Sequence, residues 1–289
     1  MSDNSAQLLI NPRLWRPLRV QKDKKSLPFR VVRAVLYYSG ILKVAHYTRA
    51  WGSFLRSANF DEAGFIKQDC GLCGFPRLIR LYESDSGIRC PRCLGGTTAM
   101  SLAAVINREV PETASKRVYE LSTRGPLYAY LSDRFDHVTG SEFWPEVQPG
   151  DWQDGFQCQN VEHLTYADES FDLLTSTEVF EHVVDDLQGY REARRVLVPG
   201  GTMIFSVPLL LDQDTIERAV MRDGQIHHLT EPEYHDDAIR GPNKVLAFRT
   251  YGLDIVDRLL EAGFREAVID RSSLGVFGGY GRAIIIARA

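Results

Sequence analysis

The sequence predicts a doubly wound α/β sheet, preceded by a small four-cysteine ribbon and a helical or irregular basic arm. Three observations predict it. Strand-like and helix-like segments alternate from about residue 117 onward, the mark of a mainly parallel sheet. Two Cys-x-x-Cys pairs stand just ahead of that alternation. The first 58 residues hold eleven Lys/Arg against two Asp/Glu, a balance of +9 that leaves −13 on the rest of a chain whose total is −4. At 289 residues there is enough chain for one full α/β domain and a smaller module.

The arm is assigned to residues 1–64, punctuated by Pro12, Pro17 and Pro28. Its start lacks the basic stretch and apolar run of a secretory signal. The apolar segment Val31–Ala45 is interrupted by Arg33 and Lys43 and falls short of the roughly 20 residues that span a bilayer. It reads as a helix packed on the body, or as one lying on a membrane surface with Tyr37, Tyr38, Tyr47 and Trp51 at its margin. The arm's charge suits lipid headgroups or nucleic acid, or is simply solvated. Clustered cysteines without an export signal lead to the expectation of a reducing cytoplasm.

The ribbon is assigned to residues 65–97. Cys70-Gly-Leu-Cys73 and Cys90-Pro-Arg-Cys93 are separated by sixteen residues, the reach of a hairpin that brings both pairs to one tetrahedral ion. Zn²⁺ is the expected metal, in a closed structural site; a site that has lost its metal, or a redox pair, is the alternative. Cys158 stands apart.

Residues 98–289 form the expected α/β domain. Thr98–Arg108 reads as a helix with Thr97 or Thr98 as its cap. Strands are expected at Arg117–Leu121, His137–Gly140, Gly155–Val161, Phe171–Thr175, Thr202–Val207, Glu266–Asp270 and Arg282–Arg288. Helices are expected at Leu127–Arg134, Asp186–Val196 and Leu253–Ala262, the last stopped by Gly263. Pro199-Gly200-Gly201 reads as a turn. Between about 208 and 250 lies an insertion rich in ionisable groups, expected to cover an acceptor pocket.

Glu120 ends the first strand of this domain and runs into Leu121-Ser122-Thr123-Arg124-Gly125-Pro126, a strand–turn–helix crevice suited to an anionic or nucleotide-like ligand. Glu142 ends the second strand, where a carboxylate can hold ribose hydroxyls. The stretch NVEHLTYADESFDLLTSTEVFEHVVDDLQGYREARRVLVPGGTMIFSVP (160–208) then resembles the class I, type 11-like S-adenosylmethionine-dependent methyltransferases in both order and spacing. The resemblance covers about Arg117 to Pro208 well and extends to Tyr251–Phe264. It implies a Rossmann-like sheet and S-adenosylmethionine as cofactor. Glu120, Ser122 and Gly125 would line the methionine end, Glu142 the ribose and Phe143 the adenine face. Asn160 and Val161 would meet the adenine edge, with Thr177 and Glu178 facing the sulfonium. The family's turn has more glycines, where this chain has Ser122 and Arg124, and Asn160 stands where an acid is usual.

A hydroxyl acceptor benefits from a general base. His182, His228 and His235 are the candidates; His182 alternatively packs its helix, and the histidines of the insertion alternatively bind metal. The expected function is O-methylation of a small molecule or a glycan hydroxyl. RNA methylation through ribbon and basic arm is the second reading, and a non-catalytic scaffold that keeps the fold is the third.

Overall fold

Alternating apolar residues in each strand must face cover on both sides, and the chain supplies it with helices. The structure is a computed structural model that describes residues 63–110, 114–237 and 241–289. The basic arm up to residue 62, with the expected helix at Val31–Ala45, lies outside the described residues. Helix α1 (Thr97–Glu109) leads into β1 (Arg117–Glu120), α2 (Pro126–Arg134) and β2 (His137–Glu142). Then come β3 (Trp152–Gln153), β4 (Phe156–Cys158), β5 (Phe171–Thr177), α3 (Asp186–Val196) and β6 (Leu197–Ser206). The domain closes with α4 (Ile255–Glu261), β7 (Glu266–Asp270) and β8 (Ile284–Arg288).

These eight strands form one mixed sheet in the order β7-β8-β6-β5-β1-β2-β4-β3. The strands from β6 through β4 are parallel neighbours; β8 is antiparallel to both β6 and β7, and β3 to β4. Strand residues alternate between two cores. Val118, Leu173, Ile204, Ile284 and Ile286 join Met100, Leu102 and Leu131 on one face. Tyr119, Leu174, Phe205 and Ile285 join Tyr190, Ala193, Ile255 and Leu259 on the other. Helices α1 and α2 therefore cover one side and α3 and α4 the other, the doubly wound arrangement.

Local chemistry explains the helix ends. The Asp185 side chain caps α3 by accepting from the Gln188 amide at 2.9 Å, and Arg194 and Arg195 in its last turn oppose the C-terminal dipole. Pro126 occupies the first turn of α2 behind Gly125, whose φ of +103° favours glycine. Gly263 has a φ of +99°, as its role after α4 requires. The cap of α1 differs from expectation. Gly96 is the N-cap and no side chain caps the helix, because Thr97 is already buried inside the first turn. The third parallel strand is also shorter than expected, since after Cys158 the chain turns through a bridge between Asn160 and His163.

The cysteine region is a three-stranded antiparallel sheet (Gly64–Ile66, Leu78–Arg80, Ile88–Arg89). It shares one apolar cluster with α1 and β8: Cys70, Cys90, Cys93, Leu78 and Ile88 pack with Met100, Phe277 and Ile284. Polar contacts seal the seam to the 271–283 segment. The Phe277 amide donates to Gln68 Oε1 at 2.8 Å, the Tyr280 hydroxyl to Glu83 at 3.2 Å, and Arg282 pairs with Asp85. Among the described residues no helix is long and apolar enough to cross a membrane.

Candidate active site and metal centres

Parallel strands present their C-terminal ends on one edge, and β1, β2 and β5 place Glu120, Glu142, Thr177 and Glu178 there. Glu120 is buried and accepts from the Thr175 hydroxyl of the neighbouring strand; burial pushes its pKa up to about 8. Glu142 accepts from the Thr123 amide at 2.9 Å and the Thr123 hydroxyl at 2.6 Å, with the Arg124 guanidinium 3.4 Å away. The turn that was expected to hold a cofactor's methionine end is thus tied to the carboxylate expected to hold its ribose. Ser122 reaches the same carboxylate at 3.5 Å, and Gly125 leaves open space beside its backbone.

Phe143 follows Glu142 on the surface, 44% exposed. Asn160 accepts from the Glu162 amide at 3.0 Å, which shapes its turn, and Val161 is buried below it. Thr177 Oγ1 and Glu178 Oε1 are buried without hydrogen-bond partners, and Glu178 holds a φ of +50°. Polar atoms of that kind are costly to leave unpaired and are what a bound polar ligand satisfies. Burial raises the Glu178 pKa, and Arg282 and His235 counteract the rise. Through Arg282 and its partner Asp85, the cysteine ribbon reaches the same edge of the sheet as the candidate cofactor residues.

The insertion between β6 and α4 is built from paired strands. Ile216–Glu217 pairs with Arg249–Thr250, Ala219–Arg222 with Gln225–His228, and Tyr234–Asp237 with Gly241–Leu246. Sequence reasoning saw its ionisable groups but not these hairpins. The insertion grips the segment after β5 through Arg249, which is 4% exposed. Its guanidinium donates to the carbonyls of Val183 at 2.6 Å, Val184 at 2.8 Å and Phe180 at 3.3 Å. It also pairs with Glu217 at 3.2 Å and Asp186 at 3.7 Å.

That grip brings His182 and His235 together, their rings 4.9 Å apart and edge to face. Glu181 lies between them, fully buried, and neither of its carboxylate oxygens has a hydrogen-bond partner. Burial raises its pKa well above the ordinary carboxylate value, and the Glu178 charge adds to the rise. His228 does not join this group. It faces Ala219 across its hairpin and is exposed. Glu181 was missed by sequence reasoning, although it sits one residue before His182.

The four ribbon cysteines converge as their spacing predicts. Cys70 and Cys93 Sγ are 3.6 Å apart, Cys73 and Cys90 3.5 Å, and all four lie within 4.8 Å of one another without a disulfide. An ion bonded to sulfur at about 2.3 Å separates its tetrahedral ligands by nearly 4 Å, so the cluster has the dimensions of a Cys₄ site. Gly74 and Leu94, one residue past each knuckle, take positive φ and donate their amides back to the carbonyls of Cys70 and Cys90.

Residues 122–205 match the family described as methyltransferase domain. A ubiquinone biosynthesis O-methyltransferase of Coxiella burnetii is 37% identical over 51 residues, 18% of this chain and 22% of that protein. The chain thus spans about a fifth of the length of the curated relatives it matches. A methyltransferase from Mesorhizobium loti aligns with 65% of this chain and 98% of its own, at 15% identity and a TM-score of 0.39. A Burkholderia thailandensis 1,6-didemethyltoxoflavin N1-methyltransferase with bound S-adenosylhomocysteine aligns with 66% and 77%, at 16% identity and 0.41. The [4+2]-cyclase SpnF aligns with 83% and 91%, at 16% identity and 0.43.

Proposed function

We propose that the protein is an S-adenosylmethionine-dependent methyltransferase that methylates a hydroxyl of a small molecule or a glycan. The observation that carries the reading is the placement of Glu142 at the end of β2, against the turn Ser122–Gly125 and beside Glu120 at the end of β1. Two acidic strand ends and a helix N-terminus opening on a glycine suit a ligand with a ribose, an amino acid end and a positive sulfur. When bound, the cofactor supplies an electrophilic methyl group on that sulfur.

The chain's own residues supply binding and position. Glu142 would accept from the ribose hydroxyls, exchanging part of its bonding to Thr123. Glu120, Ser122 and Gly125 would hold the methionine end, Phe143 the adenine face, and Asn160 with Val161 its edge. Thr177 and Glu178, buried with unpaired oxygens, would meet the charged end of the ligand. Fixing an acceptor oxygen in line with the transferred carbon supplies much of the acceleration in such a displacement. His182 and His235, within the insertion's grip, would stand on the acceptor side of this arrangement. The short match to the ubiquinone biosynthesis O-methyltransferase favours oxygen as the acceptor atom. The four cysteines are read as a structural zinc site, which has no open position for chemistry.

Calorimetric titration of S-adenosylhomocysteine into the zinc-loaded protein tests the reading. Micromolar binding that Glu142→Ala weakens at least tenfold is the expected result. No binding to the folded wild type would overturn it and favour a non-catalytic scaffold.

A further inference from the structure

We propose that Glu181, His182 and His235 form a second metal site, distinct from the cysteine cluster, that takes a first-row divalent cation, Zn²⁺ foremost. The positions of the ring protons decide which nitrogens can bind a cation. The Leu246 carbonyl lies 2.9 Å from His182 Nδ1, so that nitrogen carries the proton and the lone pair falls on Nε2. Glu233 Oε1 lies 2.9 Å from His235 Nε2, which puts the lone pair of that ring on Nδ1. Those two lone-pair nitrogens are the atoms nearest the buried carboxylate, at 3.6 Å and 3.8 Å from Glu181 Oε1.

Three acceptors therefore converge, all within 4.8 Å of one another. A protonated Glu181 does not resolve this, because an O–H···N bond needs a much shorter approach. A cation does. Bonds of about 2.0–2.2 Å hold neighbouring ligand atoms roughly 3–3.5 Å apart, a closure of a few tenths of an ångström from the carboxylate–imidazole distances of 3.6 Å and 3.8 Å. The supporting contacts have the form found around metal-bound imidazoles: one ring is oriented by a backbone carbonyl, the other by a carboxylate. Two imidazoles and one carboxylate suit zinc and leave coordination positions open, unlike four thiolates. The unpaired Oε1 of Glu181 gains a partner in this way.

The site joins two parts of the chain. Glu181 and His182 belong to the segment after β5, and His235 to the insertion, so the ion would pin one to the other. On the methyltransferase reading above, its open positions would take an acceptor oxygen; the metal site itself does not depend on that reading.

The test is zinc titration of protein that already holds one zinc per chain in the cysteine cluster, with metal content measured by mass spectrometry. A second equivalent should bind to the wild type. His235→Ala, in the partly exposed hairpin, and Glu181→Gln should each weaken it at least tenfold while the first equivalent stays. Co²⁺ in the second site should give visible bands without the sulfur charge-transfer absorption of a thiolate site. A wild type that stops at one zinc per chain overturns the proposal, as does a second equivalent bound equally by His235→Ala. S-adenosylhomocysteine binding, measured on the same samples, reports separately on the methyltransferase reading.

Discussion

Replacing Arg249 with methionine keeps an apolar stem of similar length and removes every donor of the guanidinium. In the wild type those donors serve the buried carbonyls of Val183, Val184 and Phe180. The acidic partners are less exposed to the loss. Asp186 keeps Arg258 at 3.1 Å and the Tyr251 hydroxyl at 2.9 Å, and Glu217 keeps Arg258 at 2.7 Å. The cost is therefore mainly that of the orphaned carbonyls. The Phe180 carbonyl keeps the Tyr251 hydroxyl and the Val183 amide, each at 3.2 Å, so only the Val183 and Val184 carbonyls are orphaned; at about 1–3 kcal/mol for each, and less than additive, they come to about 2–4 kcal/mol. For a chain of this size that corresponds to a fall in Tm of roughly 4–12 °C. Equilibrium urea unfolding of Arg249→Met beside the wild type measures it. A loss below about 1 kcal/mol would show that the insertion is held by its strand pairing and apolar contacts, and that the buried arginine is dispensable.

Two further outcomes follow from the same structure. Glu120, with its pKa raised to about 8, binds a proton in the native state that the unfolded chain has released above about pH 4.5. Its contribution to stability is full below that value, falls as pH rises and is exhausted above pH 8, a loss of a few kcal/mol in all. Glu120→Gln should remove that slope, and equal pH dependence in mutant and wild type would refute the assignment. On the reading of the cysteine cluster as a zinc site, stripping the metal with a strong chelator, or Cys90→Ser, should lower Tm by about 10 °C or more in a single transition, because ribbon and sheet share one core. Two resolved calorimetric transitions would show that they melt independently.

What could be read from the sequence is what local chemistry decides. Helix α3 runs from Asp186 to Val196 and β7 from Glu266 to Asp270, both as expected, because a capping aspartate and a short apolar alternation are local signals. The cysteine cluster was legible for the same reason: two fixed spacings imply one centre. The insertion was not. Its hairpins are short and largely exposed, and what secures their base is a buried arginine bonded to carbonyls some 65 residues away in sequence. The grouping of His182 with His235 arises from that grip, and no periodicity in either segment announces it. Glu181 escaped notice because a charged residue beside a histidine ordinarily faces solvent, whereas here it is fully buried. The cofactor residues fall between these cases. Their strand-end positions were readable, while the bonding of Thr123 to Glu142 belongs to the tertiary structure.

The seam between the ribbon and the 271–283 segment bears on how the protein is made. Gln68, near the start of the described chain, receives an amide from Phe277, 209 residues later. Cys70, Cys90 and Cys93 share their apolar surroundings with Phe277, Ile284 and Ile286. During synthesis the cysteines emerge about 200 residues ahead of the residues that cover them. A metal captured by the nascent chain would hold the ribbon's knuckles together through that interval. Without one, four reduced thiols and an uncovered apolar surface would wait for the strands that cover them, exposed to oxidation and to neighbouring chains. Metal supply during translation would then govern the yield of correctly folded protein, independently of any role in the finished molecule.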